Sequence, residues 1–259
     1  MRVSGDWLDN DRTQTVLDLL TGAGHAAYAV GGCVRNAALG EAVTDVDIAT
    51  SAQPETVIAL ATSAGLRAVP TGLAHGTVTL IAGGEGVEVT TFRRDVATDG
   101  RHAEVAFSDR IEDDAARRDF TMNALYADAA GHVLDPLGGM DDLRARRLRF
   151  VGDPAQRIAE DYLRILRFFR FHAQYGDPDH GLDADGLAAC AAGVGGLARL
   201  SAERVTSELR KLLSARDPAP SVAAMDHAGV LARVLPGADP RALAPLVHLE
   251  GARAPHWMR

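Results

Sequence analysis

Apolar positions recur along this chain with two periods, and the change from one to the other divides it. Val16, Leu17, Leu19 and Leu20 follow several cap-forming polar residues, which predicts an amphipathic helix over 11–20. Ala26 to Val30 is short, small and apolar, as a buried strand is, and Gly31-Gly32 lets the backbone turn without a Cβ penalty. Val34 to Leu39 predicts a helix that stops at Gly40. Ser51 to Pro54 opens another, ended by Gly65. Leu66–Val69, Thr77–Ile81 and Gly86–Thr91 read as strands between glycine-rich turns. The stretch from Thr91 to Phe107 has mixed charges and no sustained period, as a mobile loop has. Asp119 or the acids before it would cap a helix presenting Met122, Leu125 and Tyr126.

Beyond residue 150 the pattern turns helical. Asp153-Pro154 makes an N-cap with proline in the first turn, and the sequence runs without a breaker to Gly176. Ile158, Tyr162, Ile165, Phe169 and His172 form its apolar stripe. Ser201 opens a helix through Leu213, and SVAAMDHAGVLARVLPG reads as one more. The expectation is an α+β fold, with a head of small mixed sheet and helices over 1–150 and an all-helical domain over 151–259.

Composition narrows the classes. With 259 residues, 47% hydrophobic and 24% charged, the chain reads as a soluble globular protein. No apolar run approaches the ~20 residues of a membrane span, so no membrane partner is expected. The N-terminus carries acids and no apolar core of a secretory signal. Cys33 and Cys190 are far apart without metal-ligand spacing, which suggests a reduced, cytoplasmic chain. A net charge of −8 argues against a uniformly basic nucleic-acid binder. Arginines nevertheless cluster at Arg117-Arg118, Arg144 to Arg149 and Arg157 to Arg170, so any basic face is local.

The candidate chemistry lies in four places. Asp45 and Asp47 alternate with Val46 and Ile48, and in a strand both carboxylates would face one way while their neighbours enter the core. Two such acids repel unless a divalent cation sits between them. The Gly31-Gly32 turn would leave the amides of Gly32 and Cys33 at a helix N-terminus, where phosphate is favoured, and Arg35 adds charge. Glu88, between Val87 and Val89, faces either solvent or a metal site. Of Arg117 and Arg118, one would bind triphosphate oxygens and the other pair with Asp113, Asp114 or Asp119, with no sign of which is which. Finally, Asp161, Arg164, Arg167 and Arg170 lie three apart on one helical flank. They are either a solvated row of ion pairs or a donor–acceptor set for the edge of a base. Asp161 would accept from the exocyclic amine of cytosine or adenine and Arg164 would donate to the ring nitrogen; guanine and uracil reverse that pattern.

The string GGCVRNAALGEAVTDVDIAT resembles the opening motif of the class II tRNA nucleotidyltransferases, the CCA-adding enzymes, and of the related bacterial poly(A) polymerases. PTGLAHGTVTLI resembles the next stretch of the CCA-adding enzymes, and RRDFTMNALY their second motif, in which an arginine contacts the nucleotide. Glu160-Asp161-Tyr162-Leu163-Arg164 resembles the EDxxR motif that selects CTP and ATP, with Arg167 and Arg170 matching its further arginines. The segment after Thr91 resembles the flexible loop that helps switch from C to A addition, with Asp95 and Arg101 as its working members. One residue departs: the motif arginine is usually followed by aspartate, and here by Asn36.

The resemblance implies a nucleotidyltransferase-fold head and a helical neck that binds RNA. It implies addition of CCA to the tRNA 3′ end from CTP and ATP, with two Mg²⁺ held by Asp45 and Asp47 and Glu88 as a third carboxylate. Poly(A) or A-only addition, and an RNA-binding fragment without catalysis, are the alternatives. Family members continue with a helical body and tail, so a chain ending at Arg259 would stop before them.

Overall fold

The computed structural model describes residues 1–99, 102–251 and 253–258, without the side chains from 95 to 104. It divides into two compact units: residues 1–98 with 102–143, and residues 99–101 with 144–259.

The first unit is a mixed sheet with helices. α1 (Asp6–Asp9) and α2 (Asp11–Gly22) lead into β1 (Ala27–Val30), α3 (Gly32–Leu39), β2 (Asp47–Thr50) and α4 (Pro54–Ser63). β3 (Arg67–Gly72), β4 (Thr77–Ala82) and β5 (Glu85–Thr91) follow. Next come β6 (Arg93–Asp99), β7 (His102–Phe107), α5 (Ile111–Ala116), β8 (Tyr126–Ala127), β9 (Val133–Leu134) and α6 (Gly139–Arg144). The seven-stranded sheet has the order β3-β4-β5-β2-β1-β8-β9, in which β2 and β5 are parallel and the other pairs antiparallel.

Alternation along the strands gives the sheet two different faces. Ala27, Ile48, Val78, Leu80, Val87 and Val89 pack with Val16, Leu17 and Leu20 of α2 and Val57 and Ala61 of α4. Each fully buried valine, leucine or isoleucine among them contributes about 1.5–3 kcal/mol. The opposite face holds a smaller cluster of Val30, Ala49, Phe92, Ala115, Ala124 and Tyr126, with Tyr28 stacked on Phe92 at 6.3 Å. Asp47 stands two residues before Ala49 on this second face and is exposed.

The second unit is helical: α7 (Pro154–Glu160), α8 (Leu163–Tyr175), α9 (Ala184–Ala192), α10 (Ala202–Leu213), α11 (Ala219–His227), α12 (Val230–Val234) and α13 (Leu243–Glu250). α8 is its axis, burying Ile165, Leu166, Phe168, Phe169 and Phe171, with Phe150 stacked on Phe168 at 5.3 Å. Among the described residues no helix is long and apolar enough to cross a membrane.

Several local expectations are corrected. Thr91 to Phe107 holds a strand pair, β6 and β7, in place of an irregular loop. The segment after Asp119 forms only a 3-10 turn at Thr121–Asn123 and then the short strand β8, because Tyr126 pairs with Val30 and Leu134 in the sheet. β2 begins at Asp47, so Asp45 precedes the strand and Val46 is only half-buried. The helix expected from Asp153 to Gly176 is broken at Asp161, whose backbone is extended at φ −152° and ψ 106°. Its carboxylate accepts the Leu163 amide at 3.0 Å, the competition with helical bonding that aspartate offers. The helix expected from Ser221 onward ends at His227 and restarts after Gly229, which adopts φ +72°.

Candidate active site

The head site begins at the turn between β1 and α3. Gly31 has φ +74° and ψ −116°, and its amide donates to the Leu125 carbonyl at 2.9 Å. A Cβ there would be strained and would stand 3.3 Å from Arg118 Nη1, so the glycine both permits the turn and makes room for that guanidinium. Gly32 opens α3 and is exposed. Arg35, on the first turn, is buried. Its Nη1 donates to Asn123 Oδ1, and its Nε and Nη2 donate to Asn36 Oδ1 at 3.1 and 2.8 Å. Asn123 in turn donates to Asp119 Oδ1 at 3.0 Å, so the cradle arginine is held inside the head by amides.

The carboxylates sit at the adjoining strand start. Asp47 and Glu88 are paired in register across the parallel β2 and β5, and Asp45, Asp47 and Glu88 are all exposed. Desolvation raises the pKa of Asp47 above its usual value; Glu88 and Asp45 push the same way, and Arg118 pulls it down. Thr44 Oγ1 donates to Asp45 at 3.0 Å. Carboxylates set so close that the ionisation of Asp47 is disfavoured are hard oxygen donors that a divalent cation would relieve. Among the described residues no three His, Cys, Asp or Glu enclose a metal by themselves. Beneath them Cys33 is buried, and burial together with the Asp47 charge pushes its thiol up to about 11.

Both arginines of the Arg117-Arg118 pair converge on Asp114, which is 1% exposed. Arg117 reaches Oδ1 at 2.6 Å, and Arg118 and the Tyr126 hydroxyl reach Oδ2 at 2.8 and 2.7 Å. Burial alone would raise the Asp114 pKa, but the two guanidiniums and the bonds from Arg118 and Tyr126 hold it down to about 2. Since Arg118 also borders Gly31 and acts on Asp47, it is the arginine that faces the glycine turn. The sequence placed Asp114 among the candidate partners of one arginine; it did not show that both arginines share it, or that Tyr126, a sheet residue eight positions beyond Arg118, joins them.

In the helical unit the acid and the arginines each have a protein partner. Glu160 pairs with Arg157 at 2.7 Å and with Arg164, and Arg164 also donates to the Arg157 carbonyl at 2.8 Å. Asp161 meets Arg204 of α10 at 2.8 Å. Arg167 lies over the Phe171 ring at 5.1 Å. Arg170 is 7% exposed, bound to Glu208 and Gln174, and stacked on Phe171 at 4.1 Å. Thus Arg204 and Glu208, one turn apart on α10, were missed because their partnership crosses between helices. The backbone of Asp95 lies in β6 while its side chain falls outside the described residues, as does all of Arg101.

Residues 27–149 match the model of the poly(A) polymerase head domain, and residues 182–241 that of a probable RNA- and SrmB-binding site of polymerase A. The mitochondrial CCA tRNA nucleotidyltransferase 1 of Homo sapiens is 41% identical over 201 residues, 77% of this chain and 46% of the human protein. The chain belongs to the family of poly(A) polymerases and CCA-adding tRNA nucleotidyltransferases.

It has the family's nucleotidyltransferase-fold head and helical neck. The Bacillus stearothermophilus CCA-adding enzyme, solved in complex with CTP, matches with a TM-score of 0.80 and 35% identity over 91% of this chain and 56% of that one. A tRNA nucleotidyltransferase complexed with a primer tRNA and an incoming ATP analog matches with a TM-score of 0.72 and 26% identity, over 91% of this chain and 67% of the other. This chain spans about half the length of the curated relatives it matches.

Proposed function

We propose that this chain carries the catalytic head and neck of a template-independent RNA nucleotidyltransferase that adds CCA to the 3′ end of tRNA. The observation that carries the reading is the set of exposed, mutually repelling carboxylates beside a glycine turn bordered by Arg118. Its relatives' names and the CTP and ATP-analog complexes of its structural neighbours support the substrates. In the reaction the terminal 3′-oxygen of the RNA bonds to the α-phosphorus of CTP or ATP and the bond to the β-phosphate breaks. Pyrophosphate leaves, and the hydroxyl proton passes to solvent.

Asp45 and Asp47 would hold two Mg²⁺ ions, with Glu88 beside them. When bound, the metals would lower the pKa of the attacking hydroxyl and offset charge on the leaving oxygen. Around them the amides of Gly32 and Cys33, at the start of α3, would face phosphate. Arg118 supplies a fixed positive charge at that turn, backed by Asp114, and Arg117 braces the same carboxylate. Arg35 adds a second charge from α3. In the neck, Asp161 and Arg164 are the residues proposed to choose the base, with Arg167 and Arg170 beside them on α8. Asp95 and Arg101 are proposed to act in the change from C to A addition. Two buried, unbridged cysteines suit a reducing, cytoplasmic setting.

Incubation of the chain with tRNAs ending before and within CCA, and with each nucleoside triphosphate in turn, tests the reading. Two C followed by one A is the expected product. A alone would replace it with A addition, and RNA binding without incorporation would leave an RNA-binding fragment.

A further inference from the structure

We propose that Asn36 is a positioning residue that ties the phosphate side of the head site to its carboxylate side. This rests on the nucleotidyl-transfer reading of that site. The Asn36 amide lies between two neighbours of opposite hydrogen-bonding character. On one side its Oδ1 accepts from Nε and Nη2 of Arg35, a group that can only donate. On the other its Nδ2 donates to the Ala42 carbonyl at 2.9 Å, a group that can only accept. These neighbours fix which way the amide points.

The backbone of Asn36 grips the same segment. Its carbonyl accepts the Glu41 amide at 2.8 Å, across a helix end closed by Gly40 at φ +72°. Ala42 then leads through Val43 to Thr44, whose hydroxyl donates to Asp45. One side chain therefore anchors the cradle arginine and, three residues upstream, the segment that delivers the first candidate metal-holding carboxylate. Aspartate, usual at this place in the motif, would still accept from Arg35. It has no hydrogen for Ala42 and would set a negative charge against that carbonyl. Leucine would serve neither neighbour. Only the amide satisfies both, and it adds no negative charge beside Arg35.

Asn36→Asp and Asn36→Leu in the whole chain separate the two anchors. In N36D the amide order parameters of residues 41–46 should fall below about 0.6 while those of α3 hold. The kcat for incorporation into tRNA should fall about tenfold, the scale of one lost hydrogen bond, with KM for the nucleotide within about twofold. N36L should loosen the same segment and also raise KM, since Nε and Nη2 of Arg35 lose their Asn36 acceptor while Nη1 keeps Asn123. Wild-type order parameters over 41–46 in N36D, or an unchanged kcat, would overturn the proposal. A wild-type chain that incorporates no nucleotide would defeat the nucleotidyl-transfer reading instead, and the order parameters would still decide whether Asn36 pins the segment.

Discussion

The two units use the same side chains in opposite ways. On the head, Asp45, Asp47 and Glu88 crowd an exposed strand start, and the environment of Asp47 disfavours its ionisation. In the neck, Glu160, Asp161 and Glu208 each face an arginine, and the Arg170–Glu208 pair is buried, with Arg170 stacked on Phe171. The neck therefore satisfies its charges from within its own fold. The head keeps like charges together at a cost to its stability, which Arg118 offsets in part and a bound cation would offset further. Exposed repulsion thus marks where a ligand is needed, whereas paired charge marks groups held ready in a fixed geometry.

The sharpest test of this contrast is Asp47→Asn. If Asp47 holds metal, incorporation should fall about a thousandfold, equivalent to about 4 kcal/mol in the barrier. The fold should not suffer. A carboxylate with its folded pKa raised loses stability as pH rises through its unfolded value toward the folded one, so the ionised Asp47 carries a penalty that its protonated form does not. Asparagine removes that penalty, and thermal unfolding should show an equal or higher Tm. A lower Tm with activity retained would remove both halves of the argument.

Asp114→Ala should do the reverse. Without this carboxylate the Arg118 charge loses its anchor, and loss of one partner from a buried ion pair costs about 3–5 kcal/mol. The pH dependence has a definite sign. The folded pKa of about 2 lies below the ordinary carboxylate value, so the contribution is complete above about pH 4 and is lost as pH falls through 2. Urea unfolding of the wild type and D114A between pH 2 and 7 should converge at the acid end. A constant gap would remove the ion-pair account.

Asp161→Ala probes the neck at a smaller scale. If Asp161 accepts from the exocyclic amine, its loss should relax discrimination against UTP and GTP by roughly ten- to a hundredfold, about 1–3 kcal/mol. Competition assays with mixed triphosphates measure this. Unchanged selectivity would leave that carboxylate its pairing with Arg204 and its bond from the Leu163 amide, without a part in base choice.

Much of this architecture was legible because it is local. The strand at Ala27–Val30, the positive-φ Gly31, the stop at Gly40 and the cap at Ser201 follow from residues within a few positions of one another. The break at Asp161 carried a fainter signal, an aspartate inside a helical period, which an apolar stripe continuing on both sides concealed. What was not legible is long-range. That Tyr126 joins the sheet and so reaches Asp114, or that Arg204 and Glu208 answer Asp161 and Arg170, depends on how elements pack, and no spacing along the chain encodes it. The pairing of β6 with β7 was hidden because these strands lack a clean alternation of apolar and polar residues.

The mildest test falls on Arg167, where the packing role and the proposed substrate role differ in size. Its guanidinium lies 5.1 Å from the centre of the Phe171 ring and the side chain is half-buried. A cation–π contact of this kind contributes about 0.5–1 kcal/mol, so Arg167→Ala should lower Tm by only a few degrees. If packing is its whole contribution, the KM for CTP and that for ATP should both stay near wild type. A KM for either nucleotide raised tenfold, with the same small loss of stability, would mean that the side chain leaves the ring to meet substrate. The Arg167→Lys variant separates charge from shape, because lysine keeps the cation but loses the planar fork of donors. Recovery of KM in that variant would assign the effect to charge alone, and persistence of the defect would assign it to the geometry of the guanidinium.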